Sequence, residues 1–261
     1  MICSVCEEDW ELVGAEYSRN DHNGKYYICE CGSKKKPVDE VCGSRVLVIP
    51  DPHAPFMKDG AIEFLTGIYR KYECNEVVCL GDEIDFHWSS FHNTDPDGLN
   101  AEDELKQAVK QLSKLAEAFP RVKVCSGNHS DIPKRQAYAA GLSKSLVKDL
   151  KSVYLEHGAS VEKWEFADHF IIGGVKYCHG TGRKAKARMV QDGISIVQGH
   201  YHAESSVQWH VNQFQKLFAM QLGALIDDSA YAFAYGKHFA KSHKNCGVVI
   251  DGVPIIEYME L

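Results

Sequence analysis

Apolar runs and the polar residues that interrupt them divide the chain near residue 43. Before that point, Glu11-Leu12-Val13 and Lys25-Tyr26-Tyr27-Ile28 read as short strands around an Asn20-Asp21-His22-Asn23-Gly24 turn. Residues 34–44 are polar, contain Pro37 and Gly43, and read as a linker. Beyond them the texture changes. Arg45–Ile49 and Glu76–Leu80 predict buried strands, and Val122–Cys125 a third. Between the strands, Asp59–Tyr72 predicts a helix with Ile62, Leu65 and Tyr69 on one face. Ala101–Phe119 predicts another, with Leu105, Val109, Leu112 and Ala116 at helical spacing, Asn100 as its cap, Asp103 in the reciprocal position and Pro120 closing it. This β-α-β-α-β order implies a parallel sheet with crossover helices. Further on, Phe170–Cys178 reads as a hairpin, and Ile194–Val197, Ser206–Trp209 and Val248–Ile250 as strands. The run Phe218–Leu225, with Tyr231, Phe233 and Tyr235 beyond it, fits either core or a self-association surface.

Composition narrows the class. Over 261 residues, an apolar share of 44% and a charged share of 25% exclude a disordered chain, a coiled coil and a collagen-like repeat. No apolar run approaches the roughly 18 residues of a membrane span. The start, Met1 to Asp9, has neither the basic flank nor the apolar core of a secretory signal, so a cytoplasmic location is expected. Lys plus Arg is 29 against 36 Asp plus Glu, giving −7. A protein built mainly to grip duplex phosphates would be basic, so any nucleic-acid contact must come from a local patch.

Cysteine placement gives the first candidate chemistry. Cys3-x-x-Cys6 and Cys29-x-Cys31 are close pairs separated by a hairpin-sized segment, the pattern of a zinc ribbon holding one structural Zn²⁺ through four thiolates. Cys42 either replaces one ligand or stands by. A segment as small as residues 1–43 needs such a staple. It carries five Lys/Arg against nine Asp/Glu, which points to a protein partner or a purely structural role. Cys74, Cys79, Cys125, Cys178 and Cys246 sit in apolar contexts and read as core residues.

The most informative pattern lies at the ends of the apolar runs in residues 44–261. The first strand ends in Asp51-Pro52-His53, the second in Gly81-Asp82-Glu83-Ile84-Asp85, and the third in Gly127-Asn128-His129. The hairpin ends in His179-Gly180, and Ile194–Val197 leads into Gly199-His200-Tyr201-His202. Ligands of open α/β sheets gather beyond the carboxyl ends of strands, so the five segments are expected to converge on one edge. Asp, Asn and His in that number suit two divalent ions, and mixed nitrogen and oxygen donors fit Mn²⁺, Fe, Zn²⁺ or Ni²⁺. Two ions that close need an anion between them, for which Asp82 and a hydroxide are the natural bridges.

The ordered set DxH, GDxxD, GNH, H, GHxH resembles the signature of calcineurin-like metallophosphoesterases. The resemblance implies a four-layer α/β/β/α sandwich of two mixed sheets flanked by helices. It implies that Asp51, His53, Asp82 and His202 hold one metal and that Asp82, Asn128, His179 and His200 hold the other. It further implies in-line attack by a metal-bridging hydroxide, with His129, paired to Asp85, facing the phosphoryl group. The layout around Gly81–Phe91 also looks like phage- and prophage-encoded members of that family.

The substrate signal is less direct. Protein phosphatases of this superfamily place an Arg after the second Asp of GDxxD and a Glu after GNH, whereas this chain has Phe86 and Ser130. The loop His87-Trp88-Ser89-Ser90-Phe91-His92 offers aromatics that either stack a nucleobase or pack the loop down, with His87 and His92 as candidate contacts. Arg183, Lys184, Lys186 and Arg188, with Lys134 and Arg135, form either a phosphate-facing basic patch or a solvated helix face. Together these favour a nucleotide or nucleic-acid phosphodiester, with His87, Trp88, Arg183 and Arg188 as candidate contacts. A phosphomonoesterase and a non-catalytic scaffold are the alternatives.

Overall fold

The computed structural model describes residues 43–90, 98–230 and 241–260, with the backbone of residues 27–28 and 34–35. By its internal contacts the chain falls into two units, Met1–Gly43 and Ser44–Leu261. In the first, β1 (Tyr27–Ile28) pairs antiparallel with β2 (Lys34–Lys35). Cys3, Cys6, Cys29, Cys31 and Cys42, and with them the expected zinc ribbon, lie outside the described residues.

In the second unit, β3 (Arg45–Ile49), β4 (Glu76–Cys79), β5 (Lys123–Cys125) and β6 (Glu165–Ala167) run parallel. Across β3, β12 (Asn245–Ile250) and then β13 (Val253–Tyr258) add antiparallel, completing a six-stranded mixed sheet. A second, five-stranded sheet contains β7 (His169–Ile172), β8 (Val175–Cys178), β9 (Ser195–Gln198), β10 (Ser206–Val211) and β11 (Lys216–Gln221). Its order is β10-β11-β9-β8-β7, with β8, β9 and β11 parallel.

Three apolar clusters show the layering. Between the sheets, Val46, Val48, Val78 and Leu80 meet Val175, Tyr177, Val197, Phe218 and Met220. On the outer face of the six-stranded sheet, Leu47, Ile49, Val77 and Val124 pack with α1 (Ala61–Lys71), α2 (Ala101–Ala118) and α4 (Leu150–Glu156) through Leu65, Ile68, Leu112, Leu115 and Tyr154. On the outer face of the other, Ile196 and Ala219 pack on Ala185 and Met189 of α5 (Ala185–Asp192). The unit is thus two mixed sheets flanked by helices, in the layer order α/β/β/α.

Local chemistry places the elements. Strand β3 is an uninterrupted β-branched and leucine run because it is covered on both faces. Helix α2 begins where the Asn100 side chain accepts the Asp103 N–H at 3.0 Å. The five core cysteines are free and buried. The Phe218–Leu225 run is core: it supplies the end of β11 and the turn behind it, and all eight residues are buried.

Candidate active site

The parallel strands β3, β4, β5, β8 and β9 all end at one edge, and each delivers its polar residues there. The exits are tightly constrained. Gly81 has φ +101°, and a Cβ there would lie 2.7 Å from the Cys125 carbonyl oxygen. A Cβ at Gly127 would lie 2.1 Å from Asp82 Oδ1, and one at Gly199 2.2 Å from Asp51 Oδ1. His53, Asp82 and His200 hold left-handed backbone at φ 47°, 48° and 71°, a conformation that non-glycine residues adopt at a cost and that clusters at functional sites. The first two exits are stitched together: His53 N–H donates to Asp82 O at 2.8 Å, and Ala54 N–H to Glu83 O at 3.0 Å. The His200 N–H donates to Asp51 Oδ2 at 2.7 Å, tying the second sheet's loop to the first sheet.

Asp51, His53 and His202 form one cluster of ligand atoms, and Asp51, Asp82 and His179 another. Their nitrogen and oxygen atoms converge within about hydrogen-bonding distance of one another. His179 Nδ1 lies 3.1 Å from the Leu80 carbonyl oxygen, and its Nε2 faces Asn128 Oδ1 at 2.8 Å and Asp82 Oδ2 at 3.1 Å. Burial opposes its charge, but Asp82 and Asp51 beside it overcome burial and raise the ring well above the usual histidine range. His53 Nδ1 is held by Asp85 Oδ1 at 2.6 Å, and its Nε2 faces His202 Nε2 at 3.2 Å. His202 Nε2 is in turn 3.2 Å from Asp51 Oδ2. Asp51 Oδ1 is fully buried without a hydrogen-bond partner. Imidazole nitrogens, an amide oxygen and carboxylate oxygens, gathered this closely around a buried and unpartnered carboxylate oxygen, form a donor set that divalent ions take, so the residues fit divalent ions. The ring of His200 lies 5.1 Å from that of His179 by centroids, bringing the seventh sequence-selected ligand to the same edge.

The electrostatics agree with that donor set. Burial pushes the Asp51 carboxyl up, but His179 and His202 overcome it and hold it well below the usual carboxylate range. Burial likewise opposes ionisation of Asp82, and His179, His129 and His53 together pull it below that range. Burial, reinforced by His179, lowers His200 to about 4, so its ring is neutral and able to ligate. His129 differs. Burial works against its charge, but Asp85 and Asp82 raise it to about 9, so at neutral pH it is an imidazolium. Its Nδ1 sits 2.9 Å from Asp85 O and 3.1 Å from Asp85 Oδ1, while its backbone N–H donates to Asp82 Oδ1 at 2.7 Å. Asp85 Oδ1 therefore serves both His53 and His129.

Behind these groups stand residues that sequence reasoning missed. Glu83 is buried, and its carboxyl, pushed up by burial, accepts from Ser130 Oγ and Tyr154 OH at 2.7 Å each. Ser130 N–H in turn lies 3.3 Å from Asp82 Oδ1, so this network backs the Gly127–Ser130 turn. Glu104, on the first turn of α2, accepts the N–H groups of His87 at 2.7 Å and Trp88 at 3.1 Å. The sequence signal for both was present, since Glu83 lies inside the GDxxD motif and Glu104 within one turn of a capped helix.

Among the candidate substrate contacts, Trp88 exposes 39% of its surface, whereas His87 is buried. Phe91 and His92 lie outside the described residues. Arg188 is tied to the end of β9, with Nε 3.3 Å from Gln198 Oε1 and Nη2 2.9 Å from Thr181 O. Arg183 is exposed, and its carbonyl accepts from Gln198 Nε2 at 2.8 Å.

No protein-family model matches the chain, and no curated protein matches its sequence. Among solved structures it is similar to a novel archaeal phosphodiesterase, at 12% identity over 82% of this chain and 99% of that one, with a TM-score of 0.45. A metallophosphoesterase from Sphaerobacter thermophilus aligns at 13% identity over 84% and 88% of the two chains, TM-score 0.41. The Pseudomonas putida nuclease MPE aligns at 9% identity over 82% and 86%, TM-score 0.37. All three scores lie below 0.5, and the assignment of function rests on this chain's own residues.

Proposed function

We propose that the protein is a metal-dependent phosphoesterase using two divalent ions, and that it cleaves phosphodiesters of nucleotide or nucleic-acid type. The observation that carries this reading is the convergence of Asp51, His53 and His202, and of Asp51, Asp82 and His179, into two clusters of metal-ligand atoms, with Asp51 Oδ1 buried and without a hydrogen-bond partner. Asp51, His53, Asp82 and His202 hold one ion; Asp82, Asn128, His179 and His200 hold the other. When bound, the ions supply Lewis acidity that polarises the phosphoryl oxygens and lowers the pKa of the attacking water.

The chain's own residues supply the rest. Asp85 orients the His129 imidazolium through Nδ1 and keeps it charged. His129 then donates to the leaving oxygen and offsets the charge that develops on phosphorus in the transition state. In this reading Trp88, exposed beside the buried His87, stacks a base, and Arg183 and Arg188 draw in an anionic chain. Phe86, standing where protein phosphatases carry an arginine, is buried at 4% exposure and favours a diester over a phosphoprotein. In the N-terminal segment, Cys3, Cys6, Cys29 and Cys31 hold one structural zinc in this reading, and the acidic composition of residues 1–43 suits either a protein partner or a purely structural role.

The test is a Mn²⁺-dependent panel comparing p-nitrophenyl phosphate, its bis ester, cyclic nucleotides and single-stranded DNA. Cleavage of the bis ester and of at least one nucleotide substrate is expected. Cleavage of the monoester alone would overturn the diester assignment. Failure to bind Mn²⁺ by calorimetry, with no hydrolysis of any substrate, would overturn the enzyme reading altogether.

A further inference from the structure

The five- and six-stranded sheets have two edge strands each, and three of these four are blunted in ways that discourage pairing with another chain. Strand β6 is three residues long and begins with Glu165. Strand β7 is four residues long and comes directly after Asp168. Strand β13 contains Pro254 and Glu257. Strand β10 has none of these features. Its six residues, Ser-Val-Gln-Trp-His-Val, include no proline and no Asp, Glu, Lys or Arg, and all six pair with β11 in unbroken register. Its other side pairs with no strand among the described residues.

The side chains around this edge are apolar and uncovered. Strand alternation puts Val207, Trp209 and Val211 on the face that carries Phe218 and Met220 into the inter-sheet core. Val207 reaches that core. Trp209 remains 44% exposed and Val211 64%, and Phe214 in the next turn is 86% exposed. The edge of the other sheet lies alongside, since Ile256 of β13 shares the core cluster with Val207, and the hydroxyls of Ser205 and Tyr258 are 2.7 Å apart. Tyr258, on the same face of β13 as Ile256, is exposed as well, so the surroundings of this edge hold four of the ten large apolar side chains exposed among the described residues. A concentration of that kind marks an interaction surface rather than scattered exposure.

We propose that β10 pairs antiparallel with β10 of a second copy of this chain, joining the two five-stranded sheets across a two-fold axis. A strand pairing across such an axis must place like faces together, and a register centred on Trp209 does so. Trp209 then lies opposite its own copy, Val207 opposite Val211, and Gln208 opposite His210. Six apolar side chains meet on one face. The charge pattern selects a second copy as the occupant. Although the chain carries a net −7, the stretch Ser206–Gln221 contains no acidic residue and a single formal charge, Lys216, whose Nζ already lies 4.5 Å from the centre of the Trp209 ring. Two copies thus meet through a stretch that adds little like-charge repulsion of its own, and each β10 fills the open edge of the other.

The experiment is sedimentation equilibrium of the full-length chain across micromolar concentrations, with Trp209→Glu and Val211→Glu as separate variants. The wild type is expected to dimerise. Each variant places a carboxylate on the shared face and is expected to weaken dimerisation at least about tenfold, with the circular dichroism spectrum and melting midpoint retained. Both positions are solvent-exposed in the single chain, so two independent variants guard against misfolding of either one. A monomeric wild type would overturn the proposal. So would a dimer that persists in both folded variants, or a wild type that forms open-ended assemblies instead of closing at two copies.

Discussion

Leu80 and Asp82 are two residues apart and equally hidden from solvent, yet they belong to opposite regimes. Behind Leu80 lies the inter-sheet core, where Val46, Val78, Val197 and Phe218 gain from burial simply by leaving water. At Asp82 begins a shell in which burial opposes the charge of Asp51, Asp82 and Asp85, and only aimed hydrogen bonds and neighbouring imidazoles restore it. The first region holds the fold together; the second is held in place by it. The boundary is the strand end, where Gly81 lets the chain turn away from the sheet.

This contrast is broken if changes in the two regions have the same consequence. The largest separation is expected from Asp82→Asn set against Leu80→Ala. Asp82→Asn removes the charge shared by both proposed ions and should reduce Mn²⁺-dependent hydrolysis by roughly 10³-fold or more, with calorimetric Mn²⁺ affinity lost. Leu80→Ala should do the reverse, lowering unfolding free energy by about 3 kcal/mol while calorimetric Mn²⁺ affinity is kept. A loss of metal binding in Leu80→Ala equal to that in Asp82→Asn would dissolve the distinction.

A smaller effect is expected at Glu104. Burial raises its carboxyl to about 7 against an ordinary 4.5. The folded chain therefore binds this proton more tightly than the unfolded chain, and stability is lost as pH rises from about 4.5 to about 7. Between pH 5 and pH 8 the wild type should lose on the order of 2–3 kcal/mol more than Glu104→Gln in urea titrations. Equal losses in the two proteins would show that the buried carboxyl is not their source. The smallest effect belongs to the core itself, where the Tyr177 hydroxyl is buried without a hydrogen-bond partner. Tyr177→Phe should raise unfolding free energy by about 1 kcal/mol, and a clear destabilisation would mean that the hydroxyl is satisfied in solution.

The two regimes also differ in how legible they are. Apolar runs covered on both faces announce themselves, and Arg45–Ile49 and Ala101–Ala118 emerge close to where their patterns place them. The polar ends of those runs stand out for the same reason, because Asp51, Asp82, Asn128, His179 and His200 each follow the last apolar residue of a run within three positions. Short amphipathic pieces do not. Helices α3 (Ile132–Ala139), α4 and α5 have seven or eight residues each, too few for a clear period. Strand β11 runs without a break into Leu222–Leu225, so the chain there shows no alternation to separate strand from turn. Strand β13 carries Pro254, which argues against a strand except at an edge, where the structure has it. Glu83 and Glu104 were hidden because a charged residue in a motif or a first helical turn reads as solvated. Only the fold shows that they are not.

One carboxylate oxygen imposes a design constraint. Asp85 Oδ1 grips His53 at 2.6 Å and His129 at 3.1 Å, so a proposed metal cradle and a proposed proton donor lean on the same atom. Neither can be retuned alone by substitution at position 85. A lineage seeking to drop hydrolysis while keeping its ions, or an engineer seeking the same, would have to alter position 129 itself and leave Asp85 untouched.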